Sequence, residues 1–509
     1  MQARRLRLHL RWSLLFLGLF LSIHWQEVSS PTLNVDDWAL VGDPIQQAFQ
    51  SRPSWDLVYT LLFQNSFSPF FGWLIAGGSL YALAAVTTVF SPLITPAWVC
   101  LLALVVSLHA YVLDLFNFSF AIGLYLLPAA LSVWGAVLMG YTTRRVSLSW
   151  LWGVLLVMFS MGIYQPTGYI GLGLIGLQGV SQALNLRPYS PQSWWRVLGG
   201  VLGGSLLYYV WARIAMAGQV ENERTGFISL QGFLEKFPST SVYREIYNTK
   251  VPLMSTAPQF ILSISFLLIL LLATVWLLRR TSAGTERNHR IGLLWISACF
   301  LTMLPLMLFY VLRAWFPSRA LCLGNFGIAS FSIIVLSTFQ GTSTSALGQT
   351  ERPFSLFISR FLVGVLIVAY VIPQAAFASK IWDLTQLLER RDMAMAQAIL
   401  SDVRNEADRQ GVPAEPFKLF GTTARTQLFP HWSSVGESAF QQSWSIVAIF
   451  RQLLLVKVEH IAYRSSGNEK EVRQSLPPCK AYPERGSIVT HQGSLLVCLE
   501  ANPAAPGST

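Results

Sequence analysis

Residues 4–37, RRLRLHLRWSLLFLGLFLSIHWQEVSSPTLNVDD, decide how the chain is to be read. Arg4, Arg5, Arg7 and Arg11 precede an apolar run from Trp12 to Ile23, the pattern of a signal sequence or of a first membrane helix. No small-x-small cleavage site follows promptly. His24, Trp25, Gln26 and Glu27 come next, and Val28-Ser29-Ser30 is followed by Pro31, a poor residue to cleave before. The stretch therefore reads as an uncleaved first transmembrane helix with its N-terminus in the cytoplasm. Beyond it, on the opposite side, stand two adjacent carboxylates, Asp36 and Asp37.

The rest of the chain supports a membrane setting. Of 509 residues 53% are hydrophobic and only 12% charged, about half the charged fraction of soluble domains. Apart from the first, candidate spans fall near 69–89, 97–115, 119–140, 148–164, 167–184, 195–215, 258–278, 291–312, 320–339 and 359–376, each long enough for the hydrocarbon core. About eleven helices result. With the N-terminus inside, Arg144–Arg145, Arg187, Arg196, Arg279–Arg280, Arg287, Arg290, Arg352 and Arg360 all fall in cytoplasmic segments, as the positive-inside rule requires. The net charge of +11 thus reflects loop placement, and no nucleic-acid partner is expected. The other side receives loop 24–68, with Asp36, Asp37, Asp43 and Asp56, then Asp114, and loop 216–257, with Glu221, Glu223, Arg224, Arg244 and Lys250.

An odd number of spans leaves residues 377–509 outside the cytoplasm. Residues 380–410 carry charges at helical spacing and suit a soluble amphipathic helix. SIVTHQGSLLVCLE, 487–500, holds two β-prone arms around a turn and predicts a hairpin. Cys479 and Cys498 can form a disulfide in an oxidising compartment, worth ~3 kcal/mol by the chain-entropy estimate. Cys100, Cys299 and Cys322 lie in apolar spans and read as packing residues. The expected architecture is mainly α: a polytopic helical bundle over residues 1–376, followed by a small α/β domain over 377–509.

Two glycine patterns invite over-reading. Gly171-Leu-Gly173-Leu-Ile-Gly176 has the spelling of a dinucleotide loop, but no strand precedes it and it lies within an apolar span. Gly199, Gly200, Gly203 and Gly204 make two overlapping GxxxG pairs. Both read as close helix packing. No HExxH, P-loop or Ser/His/Asp grouping is present, so neither a metal nor a cofactor is expected.

The remaining chemistry lies in the non-cytoplasmic segments. Asp36 and Asp37 fit an N-cap for a helix starting at Trp38, or a general base, and one carboxylate can do each. Arg52, before Pro53, opens an aromatic amphipathic stretch with Trp55, Tyr59 and Phe63. It either snorkels to headgroups or meets a lipid phosphate. Tyr164-Gln165-Pro166 joins two spans, as a plain turn or as part of a site. Arg313 and Arg319 run against the topological bias, which suggests an anionic partner. A base, cations for a phosphate leaving group and an aromatic path for a lipid tail together fit sugar transfer from a polyprenyl-phosphate donor. The competing readings are a transporter or flippase of lipid-linked sugars and a polysaccharide polymerase or ligase. A transporter favours ionisable groups on interrupted helices at the midplane, and such groups are few here.

These residues resemble the bacterial and phage type II serotype-conversion membrane glucosyl transferases of the GT-C superfamily. The matching features are the Asp36-Asp37 loop, Ser51-Arg52-Pro53, Ile163-Tyr164-Gln165 and PSRAL at 317–321. LFGTTA at 419–424 and GESAFQQSW at 436–444 also match. Ser51 stands where the family pattern has glycine. The resemblance implies an inverting, metal-independent hexosyltransferase of the inner membrane with a periplasmic C-terminal domain. It would move glucose from undecaprenyl-phosphate-glucose to a lipid-linked O-antigen or related lipopolysaccharide glycan. Asp36 or Asp37 would be the base, with Arg52, Tyr164, Gln165, Arg313 and Arg319 at the donor. The implied partners are a donor synthase and a small flippase.

Overall fold

A computed structural model describes residues 2–33, 52–64, 68–119, 121–140, 147–187, 190–215, 231, 253–282, 284–311, 324–342, 352–423, 437–452, 454–461 and 469–502. The chain divides into two compact units, with the main division at Lys380–Ile381; residues 31–33 and 117–119 group with the second unit.

The first unit is helical. Its elements are α1 (Gln2–Ile23), α2 (Trp25–Ser29), α3 (Pro53–Phe63), α4 (Pro69–Ala85), α5 (Pro96–Ser107), α6 (Ala110–Phe116), α7 (Ile122–Gly140) and α8 (Leu148–Ile163). They continue as α9 (Gly173–Ala183), α10 (Pro191–Ala215), α11 (Leu253–Arg280), α12 (Thr285–Val311), α13 (Gly324–Thr342) and α14 (Arg352–Leu366). Among the described residues five helices are long and apolar enough to cross a membrane: Pro69–Phe90, Ile122–Gly140, Pro191–Ala215, Phe260–Arg280 and Arg360–Gln410. Pro96–Ser107, Leu148–Ile163 and Asn325–Gln340 are shorter apolar helices. Length and composition thus mark a membrane protein.

Two expected spans are broken rather than continuous. Residues 97–115 divide between α5 and α6 around Leu108 and His109. Residues 167–184 form a short turn at Gln165–Gly168, a 3-10 segment at Tyr169–Leu172, and only then α9. Pro166 with Gly168, Gly171 and Gly173 lowers helix propensity there by about 1 kcal/mol per glycine and more for proline. The freed backbone is held by α7: the Ser132 hydroxyl donates to the Gly168 carbonyl and accepts from the Gly171 N–H at 3.2 Å. Irregular backbone is tolerated in an apolar bundle when protein groups satisfy it in this way.

Both glycine patterns are packing devices. A Cβ at Gly176 would meet Leu301 of α12 at 2.7 Å. On α10, Gly200 and Gly204 press against Met139, Val154 and Val157, whereas Gly199 has nothing within 4 Å. The glycines of GGVLGG therefore face two ways, and only one pair closes a helix contact.

α14 passes through a π-turn at Ile367–Val371 into α15 (Ile372–Gln410). Pro373 accounts for the turn, since its ring displaces the carbonyl four residues back and it donates no N–H. The helix expected over 380–410 is thus the continuation of a longer one, and no break stands at 376–377.

The second unit is α/β. Strands β1 (Phe417–Phe420), β2 (Val458–Ile461), β3 (Ile488–His491) and β4 (Ser494–Cys498) form a mixed sheet in the order β2-β1-β4-β3. The expected hairpin is β3–β4. Its two turn residues, Gln492 and Gly493, have φ of 52° and 76°, the left-handed pair that a two-residue hairpin demands. Alternation sorts the strand side chains onto two faces. Phe417, Leu419, Leu495 and Val497 meet Ala396, Ile399, Val403 and Ala407 of α15, with Ile446, Ile449 and Phe450 of α16 (Ser443–Gln452). Phe420, Leu496 and Cys498 face Leu476 and Cys479. Cys479 and Cys498 are joined by a disulfide. Cys100 is buried and Cys299 exposed, both as free thiols.

Two carboxylates of α15 bind backbone groups in this unit. Asp392 accepts the Ser438 hydroxyl and the Ala439 N–H, each at 2.7 Å. Glu389 accepts the Leu33 N–H at 3.3 Å, and the Ser119 hydroxyl donates to the Thr32 carbonyl at 2.8 Å.

Candidate functional site

The site is built where α3 meets the C-terminal end of α8. Pro53 sits at the first position of α3, where its missing N–H costs nothing and its fixed φ favours the helix. Arg52 is the N-cap, and its carbonyl accepts the Trp55 N–H at 3.0 Å. α8 ends at Ile163, with Tyr164 extended at φ −152° and ψ 104°. Pro166 enforces that stop, because it has no N–H for the Gly162 carbonyl and its ring would strike it.

Gly162 lets the two elements touch. A Cβ there would overlap the Ser54 side chain and lie 3.3 Å from the Ser54 backbone nitrogen. Ser54 is wholly buried in that contact. Only glycine admits α3 so close, and the approach sets Arg52 beside Tyr164.

The Arg52 guanidinium lies 5.1 Å from the Tyr164 ring centroid and 5.6 Å from that of Trp55. Tyr125 of α7 closes the group, 4.7 Å from Tyr164 edge-to-face and 5.6 Å from Trp55. Trp55, Tyr125 and Tyr164 are buried, while Arg52 and Gln165 are half-buried. Next to Tyr164, Gln165 donates through Nε2 to the Tyr208 hydroxyl of α10 at 2.5 Å. Cation–π contacts of this kind hold a guanidinium by about 0.5–2 kcal/mol each, and its planar edge suits bidentate recognition of a phosphate.

A second polar group stands at the end of α1. His24 is wholly buried against Trp73, at 4.9 Å, and Phe116, at 5.1 Å. Burial pushes its imidazole down to about 3, so it is neutral at physiological pH. Glu27 and Asp114 are also wholly buried.

Of the residues singled out from sequence, the fold brings Arg52, Tyr164 and Gln165 together. Asp36, Asp37, Ser51, Arg313, Arg319, Cys322 and nearly all of loop 216–257 lie outside the described residues. Sequence reading missed Tyr125, Tyr208, Ser54 and Gly162. The first two sit inside apolar spans, where an interior tyrosine is spelled like a lipid-facing one. Among the described residues no three His, Cys, Asp or Glu side chains gather as a metal site would require.

Residues 28–339, more than half of the chain, match the family described as Glucosyl transferase GtrII. No curated protein matches the chain, and no solved structure does.

Proposed function

The chain belongs to the glucosyl transferase GtrII family, and from that membership we propose that it moves glucose from a polyprenyl-phosphate donor to a lipid-linked or cell-surface glycan. The acceptor is an O-antigen or related lipopolysaccharide glycan at the periplasmic face of the bacterial inner membrane. Undecaprenyl-phosphate-glucose is the donor, supplied by a synthase and a small flippase. The observation that carries the reading is Arg52, held over the faces of Trp55 and Tyr164 beside Gln165.

The step needs one base and one anion-binding group. Asp36 or Asp37 takes the proton of the acceptor hydroxyl, and Asp37 is favoured because it borders the expected helix start. The acceptor oxygen then bonds to the anomeric carbon from the face opposite the phosphate, so the configuration inverts. The bond from that carbon to the phosphate oxygen breaks, and its electron pair leaves on the polyprenyl phosphate. Arg52 balances the charge that develops there, with Arg313 and Arg319 as further cations. A phosphate monoester leaves without prior protonation, so no metal enters this scheme.

The test is transfer of labelled glucose from a polyprenyl phosphate to lipid-linked glycan by the purified full chain. Such an assay also separates transfer from transport. Arg52→Gln should lower kcat by about 100-fold or more, the usual cost of removing a group that meets developing charge. Asp36→Asn and Asp37→Asn should divide, with one abolishing transfer. Unchanged transfer in both would remove the carboxylates from the step.

A further inference from the structure

The polar groups at this site do not end with the guanidinium. Gln165 Nε2 donates to Tyr208, and Tyr208 is only 8% exposed. Arg52 reaches the same place through Tyr164, Gln165's neighbour in the chain, whose ring centroid lies 5.1 Å from the guanidinium. One turn back along α10, the Ser205 hydroxyl donates to the Val201 carbonyl of its own helix at 2.7 Å, so Tyr208 is the α10 side chain that meets Gln165. A cation, the Tyr125–Tyr164 ring pair, a carboxamide and phenolic hydroxyls thus occupy one region at the broken helix.

Two features of this arrangement bear on ligand chemistry. A lipid phosphate needs only positive charge and N–H donors, which Arg52 supplies. A hexose presents apolar C–H faces that suit aromatic rings, and hydroxyls that both donate and accept. Gln165 and Tyr208 together command donors and acceptors, the inventory that a sugar hydroxyl matches and a phosphate does not need. A carboxamide can rotate to exchange its N and O ends. The Tyr208 hydroxyl, which can donate or accept, holds one end of the amide and leaves the other for a ligand hydroxyl.

We propose that Gln165 and Tyr208 form a hydroxyl-reading pair that selects the sugar of the donor. Gln165 contacts one ring hydroxyl, and Tyr208 acts as a positioning residue that anchors the amide. The inference rests on the proposed donor class and adds to it how the sugar is chosen. A site that hydrogen-bonds a substrate hydroxyl discriminates strongly against the analogue lacking it, because its polar groups lose a partner.

The experiment uses the full chain in nanodiscs and a short-chain polyprenyl-phosphate glucose, with its 2-, 3-, 4- and 6-deoxy analogues. Direct binding gives an affinity ratio of each analogue to the glucose donor. In the wild type one deoxy analogue should bind roughly 100-fold more weakly than the parent. Gln165→Met should bring that ratio near one, and Tyr208→Phe, which keeps the ring, should cut it about tenfold while the ratios for the other analogues hold. Failure of every prenyl-phosphate sugar to bind the wild type would overturn the donor class and this inference with it. Binding with no hydroxyl preference, or a preference that survives both substitutions, overturns this inference alone. Loss of all binding in both variants also counts against it, since the remaining contacts should still hold the donor.

Discussion

Asp392 gives the second unit a dependence on pH whose sign and size follow from its surroundings. The carboxyl is 5% exposed. Burial raises it from 3.8 to about 6, against the downward pull of the Ser438 and Ala439 hydrogen bonds and of Arg391. Its folded value exceeds its unfolded one, so between these values the native state binds the extra proton and stability falls as pH rises. The contribution is complete below about pH 4. Above pH 6 it is lost, at a cost of about 3 kcal/mol, and at pH 5 about half of that loss has occurred.

Asp392→Asn removes the titration and keeps an acceptor for the Ala439 N–H. Hydrogen exchange of amides 438–442 in the full chain reads the effect. Comparing variant and wild type at the same pH cancels the intrinsic exchange rate. The protection ratio of variant to wild type should rise about tenfold between pH 5 and pH 7.5, equivalent to about 1.4 kcal/mol. Glu389, also raised by burial and by Asp392, broadens the transition, and Glu389→Gln should sharpen it. A ratio that is flat with pH, or that falls as pH rises, would refute the reasoning.

Three further outcomes are expected. Gly162→Ala should cost ~1–3 kcal/mol in thermal unfolding and weaken donor binding, because its methyl meets Ser54; adding Ser54→Gly should restore part of both. Gly200→Ala should destabilise against Met139, while Gly199→Ala, which meets nothing, should stabilise by ~0.5–1 kcal/mol through helix propensity, and equal effects would contradict the assigned faces of α10. Replacing Cys479 and Cys498 together by serine should lower the denaturant midpoint of the second unit by the equivalent of ~3 kcal/mol, since the bridge spans 19 positions.

How far the fold could be read from sequence depended on whether a feature was local. The β3–β4 hairpin was legible because Gln492-Gly493 meets a requirement set by those two residues alone. Hydropathy over 167–184 was a window average, and it hid a break that Pro166 and three closely spaced glycines had already announced. The border expected at 376–377 stands close to the division at Lys380–Ile381, yet no break in secondary structure marks it. Pro373 looks like punctuation there, but a single π-turn absorbs it and the helix runs on.

The site follows the same division. Arg52 before Pro53, and Tyr164-Gln165 before Pro166, were each visible as helix ends with unusual polar residues. Their meeting was not, because it depends on Gly162 admitting Ser54, and nothing about a glycine in an apolar span says which neighbour it admits. Tyr125 and Tyr208 acquire their roles only through that meeting. The two motifs thus act as one unit: the same proline that stops α8 presents Tyr164 to the cation and Gln165 to Tyr208. A change at Pro166 should therefore disturb charge binding and hydroxyl reading together, whereas Tyr208→Phe should reach only the second.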